Sequence, residues 1–599
     1  VSSDTLLTNS LGDGSTLTLD FTTGVLDPRL TFTRGSNATF INSSGLVQWS
    51  ASNHAPRTNW NFTSPTGTGW NAATVSGTGT FQWVGNGTVI AASGSAGQAL
   101  TIITTPTGIA EGLRYVMSVT ASSVTGSPTI QSIFDFTSAS GNTYFKNGAA
   151  ATAGTTVASG DRISVSAIAS ATSMNVRIGC GAWFANRTNE SVTLTQFHWH
   201  PGSAPVAYYE NTGTSPRYDS ARFDHDPTTL APKGLLIEAT ATNFASNSET
   251  FPTSGTGLWA YEDVTANATK ITAPDGTANA IQFNETTANN VHRIGQSVSG
   301  SAGAVSVSVW VKVLQPGTPR RLFINANTFM NARGLFDIDP AVQTGASGTA
   351  VSVTGTAANR AGTWIKYPND WYRCTLIGTY STASTVYFQI NRASSSTATD
   401  DIFAGSTTNG LAIWGAQVEA GSGASSYIPT GASQGTRNQD QVQMTNLASL
   451  GFNTNAGTMT INGTYNKDAN AFPRSIRFMG SSVQSMAMIT SGKMLYGNAP
   501  NTSGGTYFDV FRTLSSFGAF KYGFSLTTAT SPATGLGVIS LNGSSTSITP
   551  LGQGAIVNPV TLDFLYGAGA PTDYPSMNVA SMKYWPYAMT GTQLNAMTA

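Results

Sequence analysis

Two short clusters hold the residues best suited to chemistry. In Arg222-Phe-Asp-His-Asp-Pro227, the carboxylates Asp224 and Asp226 bracket His225. Alternate residues of a strand share one face, so this pair suits a hard cation or an acid and base pair. The plainer reading is a solvated, hydrogen-bonded linker, because Pro227 ends the strand and no third acid lies close. Arg222 then reads as an ion-pair partner for one aspartate. In Phe197-His-Trp-His200, His198 and His200 share a face and supply half of a zinc site. A metal needs further ligands, and no Cys pair lies near, so surface or interface imidazoles are the ordinary alternative. No metal, cofactor or catalytic residue is assigned from these clusters.

Other chemistry is thinly represented. The chain carries no H-E-x-x-H and no G-x-x-x-x-G-K phosphate loop. A glycosidase needs only two carboxylates at a suitable separation, and Asp135, Glu190, Asp337, Asp339 and Asp509 are available. With 29 acids in the chain, most are ordinary surface groups. Aromatic residues are the better clue, since a ring stacks on the apolar face of a sugar while amides and charged groups bind its hydroxyls. Trp60, Trp70, Trp83, Trp183, Trp259, Trp364, Trp371 and Trp585 lie in or beside turn-rich segments. Trp310 and Trp414 sit in alternating apolar strands and read as core. The contact surface is expected at Trp259 with Tyr261, and at the loop carrying Tyr367, Asp370, Trp371 and Tyr372.

The elements that must position these residues are strands. Runs such as Val305-Ser-Val-Ser-Val-Trp-Val-Lys-Val313 and Val386-Tyr-Phe-Gln-Ile390 alternate with period two, and Gly, Asn, Pro and Ser clusters separate them. Helical spacing is confined to the last dozen residues, where Thr590 suits an N-cap and Leu594 and Met597 an apolar face. The fold class is all-β, in tandem sandwiches. At 599 residues the chain is long enough for roughly three to five domains. Charged residues are 10% of it, and 29 basic residues cancel 29 acidic ones. Such a surface lacks the clustered cations that nucleic acid or an anionic membrane requires. A hydrophobic share of 40% argues for packed domains despite 63 Gly. Cys180 and Cys374 read as buried free thiols, consistent with synthesis in a reducing cytoplasm. No membrane span or signal peptide is expected.

An internal repeat organises the middle of the chain. Gly202-Ser-Ala-Pro-Val-Ala-Tyr-Tyr-Glu-Asn-Thr-Gly-Thr-Ser-Pro-Arg217 matches Gly421 to Arg437 with one gap. Thr58-Asn59 parallels Thr242-Asn243, and Asp161-Arg-Ile-Ser-Val parallels Trp371-Tyr-Arg-Cys-Thr-Leu. Phe197-His-Trp-His is set against Trp414-Gly-Ala-Gln. The expected division is a segment 1–57 too poor in apolar residues for its own core, modules 58–217 and 242–437, a hinge 218–241 between them, and a domain 438–599. The first module reads as an insertion, so residues before Arg57 and after Pro216 should lie close together.

Several of these stretches resemble tailed-phage virion proteins. Leu26 to Gln48, with Thr31-Phe-Thr-Arg-Gly-Ser-Asn-Ala-Thr-Phe40, resembles an opening motif of such proteins, and Ala221 to Glu238 resembles the phrase that follows it. The second module, with Trp414-Gly-Ala-Gln-Val-Glu-Ala-Gly421, resembles the carbohydrate-binding-module-like jelly rolls of phage fibres. The ending from Met582 resembles a concanavalin-like, laminin-G-type domain closed by a short helix. The resemblance implies a tail fibre, spike or head fibre on the virion surface. Its N-terminal segment would bind other virion proteins, its sandwiches would bind host surface glycans, and it would form a homo-oligomer, most often a trimer. Nucleic acid and membrane insertion are not expected. A decoration or connector protein without receptor binding, and a polysaccharide depolymerase, are the alternatives.

Overall fold

The structure is a computed structural model. It describes residues 13–55, 70–75, 80–84, 88–93, 99–103, 109–136, 139–170, 174, 176–180, 189–211, 215–251, 258–315, 320–447, 450–467, 474–480, 484–491, 494–500, 506–514, 518–528, 536–548, 556, 558–564 and 576–599. The all-β expectation holds: among these residues the strands pair antiparallel, and the longest helix is Gly591–Thr598. Thr590 caps that helix with Gln593, and Leu594 is fully buried. Met597 instead points outward at 39% exposure, and Thr598 takes the inward place.

Six large sheets build three sandwiches. The first pairs a seven-stranded sheet centred on Arg114–Thr125 with a four-stranded sheet containing Val176–Cys180. In the second, a seven-stranded sheet centred on Ala304–Val313 faces a six-stranded sheet containing Ser384–Arg392. An eight-stranded sheet around Ala456–Lys467 and a seven-stranded sheet around Arg474–Met479 form the third. In each, alternate apolar residues turn inward, the outcome that period-two patterning dictates.

The third sandwich is the root of the molecule, because it recruits strands from far upstream. Leu17–Asp20 pairs with Ser576–Trp585, and Leu30–Thr33 pairs with Gln441–Met444. Arg222–His225 and Pro232–Ile237 form a hairpin whose second strand also pairs with Ser576–Trp585. Leu17, Leu19, Leu30, Phe32, Leu235 and Ile237 are buried in the same core as Met459, Phe564 and Val579. Leu17–Asp20, Leu30–Thr33 and the hairpin of the expected hinge are therefore structural strands of the root sandwich, while Thr39–Ile41 and Val47–Trp49 form a separate two-stranded sheet. Leu17–Asp20, Leu30–Thr33 and Pro232–Ile237 each place two apolar residues in the root core, too few for a core of its own but enough to extend an existing sheet, while Arg222–His225 buries Arg222 and Asp224. Gly234 permits the close approach: its φ is +88°, and a Cβ there would lie 2.2 Å from the Val579 carbonyl oxygen.

Both other sandwiches are insertions whose ends meet. Asn53 and Arg217 exchange backbone hydrogen bonds of 3.0 and 2.9 Å, the closure expected of an inserted first module. Ala241–Asn243 pairs with Gly435–Arg437 at the base of the second. The repeat appears here as one side-chain lock used twice. Asn243 Nδ2 donates to the carbonyls of Ala416 and Ile428, and its Oδ1 accepts from the amides of Ala245 and Val418. Asn53 Nδ2 donates to Phe197 and Tyr209, and its Oδ1 accepts from Ala55 and Trp199. Asn53, not Asn59, is thus the partner of Asn243; Asn59 lies outside the described residues. The lock also corrects the register, setting Phe197-His-Trp-His200 against Ala416-Gln-Val-Glu419.

A buried ion network ties the segments together. Arg222 donates to Glu238 at 2.7 Å and to Asp440, and Arg34 meets Asp440 at 3.0 Å. Arg437 reaches Glu238 at 3.1 Å. Arg222 also bonds the Thr39 carbonyl and the Ser426 hydroxyl. Burial acts to raise the Glu238 carboxyl, but Arg437, Arg222 and Ser426 outweigh it and hold it well below the carboxylate range. Truncating one member of such a network leaves the opposite charges buried without compensation. Arg222→Ala is expected to destabilise the root sandwich by about 3–5 kcal/mol, measured by denaturant unfolding. Because the folded pKa of Glu238 is depressed below 4.5, its contribution is present above that pH and drains away on acidification.

Candidate functional site

The expected contact surface lies inside the second sandwich. Trp259, Tyr367, Trp371 and Tyr372 are buried, Tyr261 is half-buried against Phe283, and Asp370 is half-buried and paired with Lys366 at 3.1 Å. The loop Pro368–Asp370 is a tight turn with Asn369 and Asp370 at positive φ, so Tyr367 and Trp371 stand opposite each other across a hairpin. Their shared face is covered: Tyr367 and Trp371 pack with Trp310, Trp414 and Val47, the last from the hairpin Thr39–Ile41 and Val47–Trp49. Tyr372 alternates to the other face and joins the main core. Trp310, Trp364, Trp414 and Trp585 are also buried. The side chains of Trp60, Trp70, Trp83 and Trp183 lie outside the described residues.

The two sequence clusters are also structural. Asp224 is buried, accepts the Ile41 amide at 2.7 Å and faces Lys233 at 3.8 Å. Asp226 accepts the Thr228 and Thr229 amides at 2.9 and 2.7 Å, which closes the turn after it. A bulge between Asp224 and His225 breaks the alternation that would have set the two carboxylates on one face. His198 bonds the Ser52 carbonyl at 2.9 Å and His200 the Pro201 carbonyl at 2.8 Å. Burial depresses their pKa values to about 3 and about 4, so both rings are neutral. Among the described residues no group of three His, Cys, Asp or Glu side chains could hold a metal ion. Asp337 is paired with Arg321 and Asp339 accepts the Ala341 amide, while the side chains of Asp135 and Asp509 lie outside the described residues.

A cleft of about 680 Å³ opens between the two inserted sandwiches. The first sandwich supplies Arg114, Asn142, Tyr144 and Phe145, three of them from the strand Ala139–Lys146. Trp49 enters at the end of the N-terminal hairpin. From the second come Glu249, Lys270, Asp275 and Asn279, carried by loops beside its base. Trp49, Tyr144 and Phe145 are half-buried beside the cleft, and Tyr144 also packs against the core of the first sandwich. The bodies touch where the Ala432 amide donates to the Glu111 carbonyl at 2.8 Å. Residue 431 must be glycine there, since a Cβ would lie 1.5 Å from the Glu111 oxygen.

Two carboxyl groups in this cleft are perturbed. Burial, and then the charge of Asp275, push Glu249 up to about 8, while Tyr427 and Lys270 pull weakly the other way. Asn279 Nδ2 donates to Glu249 Oε2 at 3.3 Å. Burial also raises Asp275, but the Thr277 amide and hydroxyl, at 2.9 and 2.8 Å, favour its charged form. Glu249 therefore favours its protonated form near neutrality. Sequence reasoning missed this pair because Glu249 and Asp275 belong to different loops, and neither loop has a pattern that announces a meeting.

No protein-family model matches the chain, and no curated protein matches it. Among solved structures it is similar to the binding domain of Paraclostridial Mosquitocidal Protein 1, at 10% identity over 26% of this chain and 40% of that one, with a TM-score of 0.22. It is likewise similar to the Botulinum Neurotoxin Type G receptor binding domain, at 11% identity over 26% and 39%, TM-score 0.21. The tandem CBM22 domains of Paenibacillus barcinonensis Xyn10C match at 10% identity over 61% of this chain and 98% of that one, TM-score 0.18. The chain thus spans about two fifths of the length of the first two. Likeness at this level carries no functional argument, and the fold rests on the strand pairings themselves.

The raised Glu249 has a consequence for stability. Its folded pKa of about 8 exceeds the ordinary 4.5, so the stabilisation it gives is complete below pH 4.5 and is lost as pH rises through 8. Calorimetric melting at pH 5 to 9 is expected to show this decline, and Glu249→Gln to flatten it; an equal decline in the variant would assign the slope elsewhere.

Proposed function

We propose that the chain is a structural protein displayed on a tailed-phage virion, as a tail fibre, spike or head fibre, and that it adsorbs to host surface glycans through the cleft between its two inserted sandwiches. The observation that carries the glycan reading is the cleft lining. Half-buried Trp49, Tyr144 and Phe145 stand beside Asn142, Asn279, Arg114 and Lys270, the mixture of ring faces and hydrogen-bonding groups that sugars require. The virion reading is supported by the opening motif and the phrase at Ala221 to Glu238, both of which carry strands of the root sandwich. Attachment to other virion proteins then belongs to the root, which leaves the inserted sandwiches facing outward. A shallow site binds one sugar weakly, and several copies in a homo-oligomer, a trimer above all, raise avidity by orders of magnitude.

A bacterial glycan array probed with the full chain tests this reading. Binding to a restricted set of surface polysaccharides is expected, and Trp49→Ala should weaken it about tenfold, the equivalent of about 1.4 kcal/mol. Silence of the oligomeric protein across the array would defeat the glycan role. Cryo-EM of the intact particle would locate the root sandwich against its virion neighbours.

A further inference from the structure

We infer that a second cavity, at the junction of the second sandwich with the root, binds a carboxylate-bearing sugar residue of the uronic acid class, with Arg373 holding the carboxylate. This goes beyond the cleft reading, since the two cavities share no lining residue. The cavity measures about 620 Å³ and lies between the outer face of the seven-stranded sheet, the root hairpin and the segment after the long strand Gly410–Ala420. Alternation decides what the second sandwich presents to it. Trp364, Cys374 and Leu376 turn into the core, so Thr363, Arg373 and Thr375 turn outward. Cross-strand pairing sets Thr349, Thr363 and Thr375 in one row, and Ser347, Ile365 and Arg373 in the next. Hydroxyls thus stand roughly 5 Å apart from strand to strand, beside one cation and one exposed apolar side chain.

Arg373 decides the class of ligand. Arg34, Arg222, Arg373 and Arg437 are the buried arginines among the described residues. The other three each meet a carboxylate. Arg373 instead lies over the Trp310 ring at 4.3 Å and donates to the Ser425 carbonyl at 2.9 Å and the Ser308 hydroxyl at 3.2 Å, with the Tyr367 phenol adjoining it. Its Nε has no hydrogen-bond partner, although the residue is only 8% exposed. Ser422 Oγ and His225 Nδ1, on the walls of the same cavity, are also buried without a partner. The remaining charged groups there are engaged with one another or with the ion network. Lys233 faces Asp224 at 3.8 Å, Asp224 accepts the Ile41 amide, and Glu238 is held by Arg222. The uncommitted charge of the cavity is therefore positive. A buried cation is costly unless paired, and a ligand carboxylate supplies that pairing through charge-assisted hydrogen bonds. A bare anion would use a small part of the volume. Rows of hydroxyls and the side chain of Ile365, 42% exposed, suit a ligand that adds several hydroxyls and an apolar ring face to its carboxylate.

Ligand-observed NMR titration of the full chain with glucuronate and galacturonate tests the assignment, with glucose and galactose as neutral counterparts and acetate as the bare carboxylate. At least one uronate is expected to bind about tenfold or more tightly than its neutral counterpart and than acetate. Arg373→Gln should weaken that binding about tenfold or more, and Thr363→Val about threefold, with circular dichroism reporting the fold of each variant. Thr363 is exposed and its replacement keeps the branched shape that the strand favours, so this variant carries the test even where Arg373→Gln fails to fold. Equal binding of uronate and acetate would overturn the sugar assignment. Absence of uronate binding, wild-type affinity in Thr363→Val, or affinity retained by a folded Arg373→Gln would overturn the site. The glycan array reports on the cleft through Trp49 and this titration on the cavity through Arg373, so either reading can fail without the other.

Discussion

The arrangement of this molecule depends on the buried pairing of Arg222 with Glu238 and Asp440. The three residues come from the phrase Ala221 to Glu238 and from the strand region after the second insertion, and their side chains are closed to solvent. Arg34 and Arg437 extend the network to the N-terminal segment and to the base of the second sandwich. Three guanidinium groups face two carboxylates and also donate to the carbonyls of Thr39, Tyr218 and Ala239. Desolvating so many charges is costly, and apolar replacements often serve stability as well. What such a network supplies in this protein is direction: each guanidinium fork accepts partners in one geometry, so four chain segments are held in one register.

That requirement explains why the same asparagine lock closes both insertions. An inserted domain joins its host through two strands, and without a third constraint it can swing about them. Asn53 and Asn243 each bond four backbone groups, crossing from the entering strand to the long strand and the closing segment of the same sandwich. The second sandwich has a further tie, Lys467 of the root to Glu419 at 2.9 Å. In the first, the equivalent of Glu419 is His200, which is buried, neutral and bonded to its own neighbour's carbonyl. The repeat therefore diverged at the position facing the root, where only one copy meets a cationic partner.

Much of the fold was legible because it rests on local patterning. Period-two runs such as Val305 to Val313 read as strands, and the match between Gly202 to Arg217 and Gly421 to Arg437 marked the ends of two modules, of which the first alone read as an insertion. Leu235, Leu236 and Ile237 are all buried, as a continuous apolar run in a covered strand requires. Long-range partnership was not legible. Arg222 looked like a partner for Asp224 or Asp226, yet it pairs with acids 16 and 218 positions away. Trp259 and Trp371 read as contact residues because they lie beside turns; nothing in the sequence signalled that Val47, more than 300 residues earlier by numbering, would cover Trp371. Glu249 and Asp275 escaped for the same reason, since their proximity arises from two loops packed at one end of a sandwich.

The cleft and the ion network are one mechanical unit. Ser426 bonds both Glu238 and Arg222, and the next residue is Tyr427, whose phenol is linked to Glu249 in the cleft wall. Thr39, whose carbonyl Arg222 holds, bonds the Tyr427 carbonyl at 2.6 Å and begins the hairpin that ends at Trp49. The same hairpin is pinned to the second sandwich through the Val47 amide and the Pro274 carbonyl, one residue from Asp275. Displacement of Arg222 would therefore move the aromatic residue and both acids of the cleft, although it touches none of them. A surface assembled from two insertions and a hairpin keeps its shape only if their common root is rigid. In this molecule the charged phrase between the insertions supplies that rigidity.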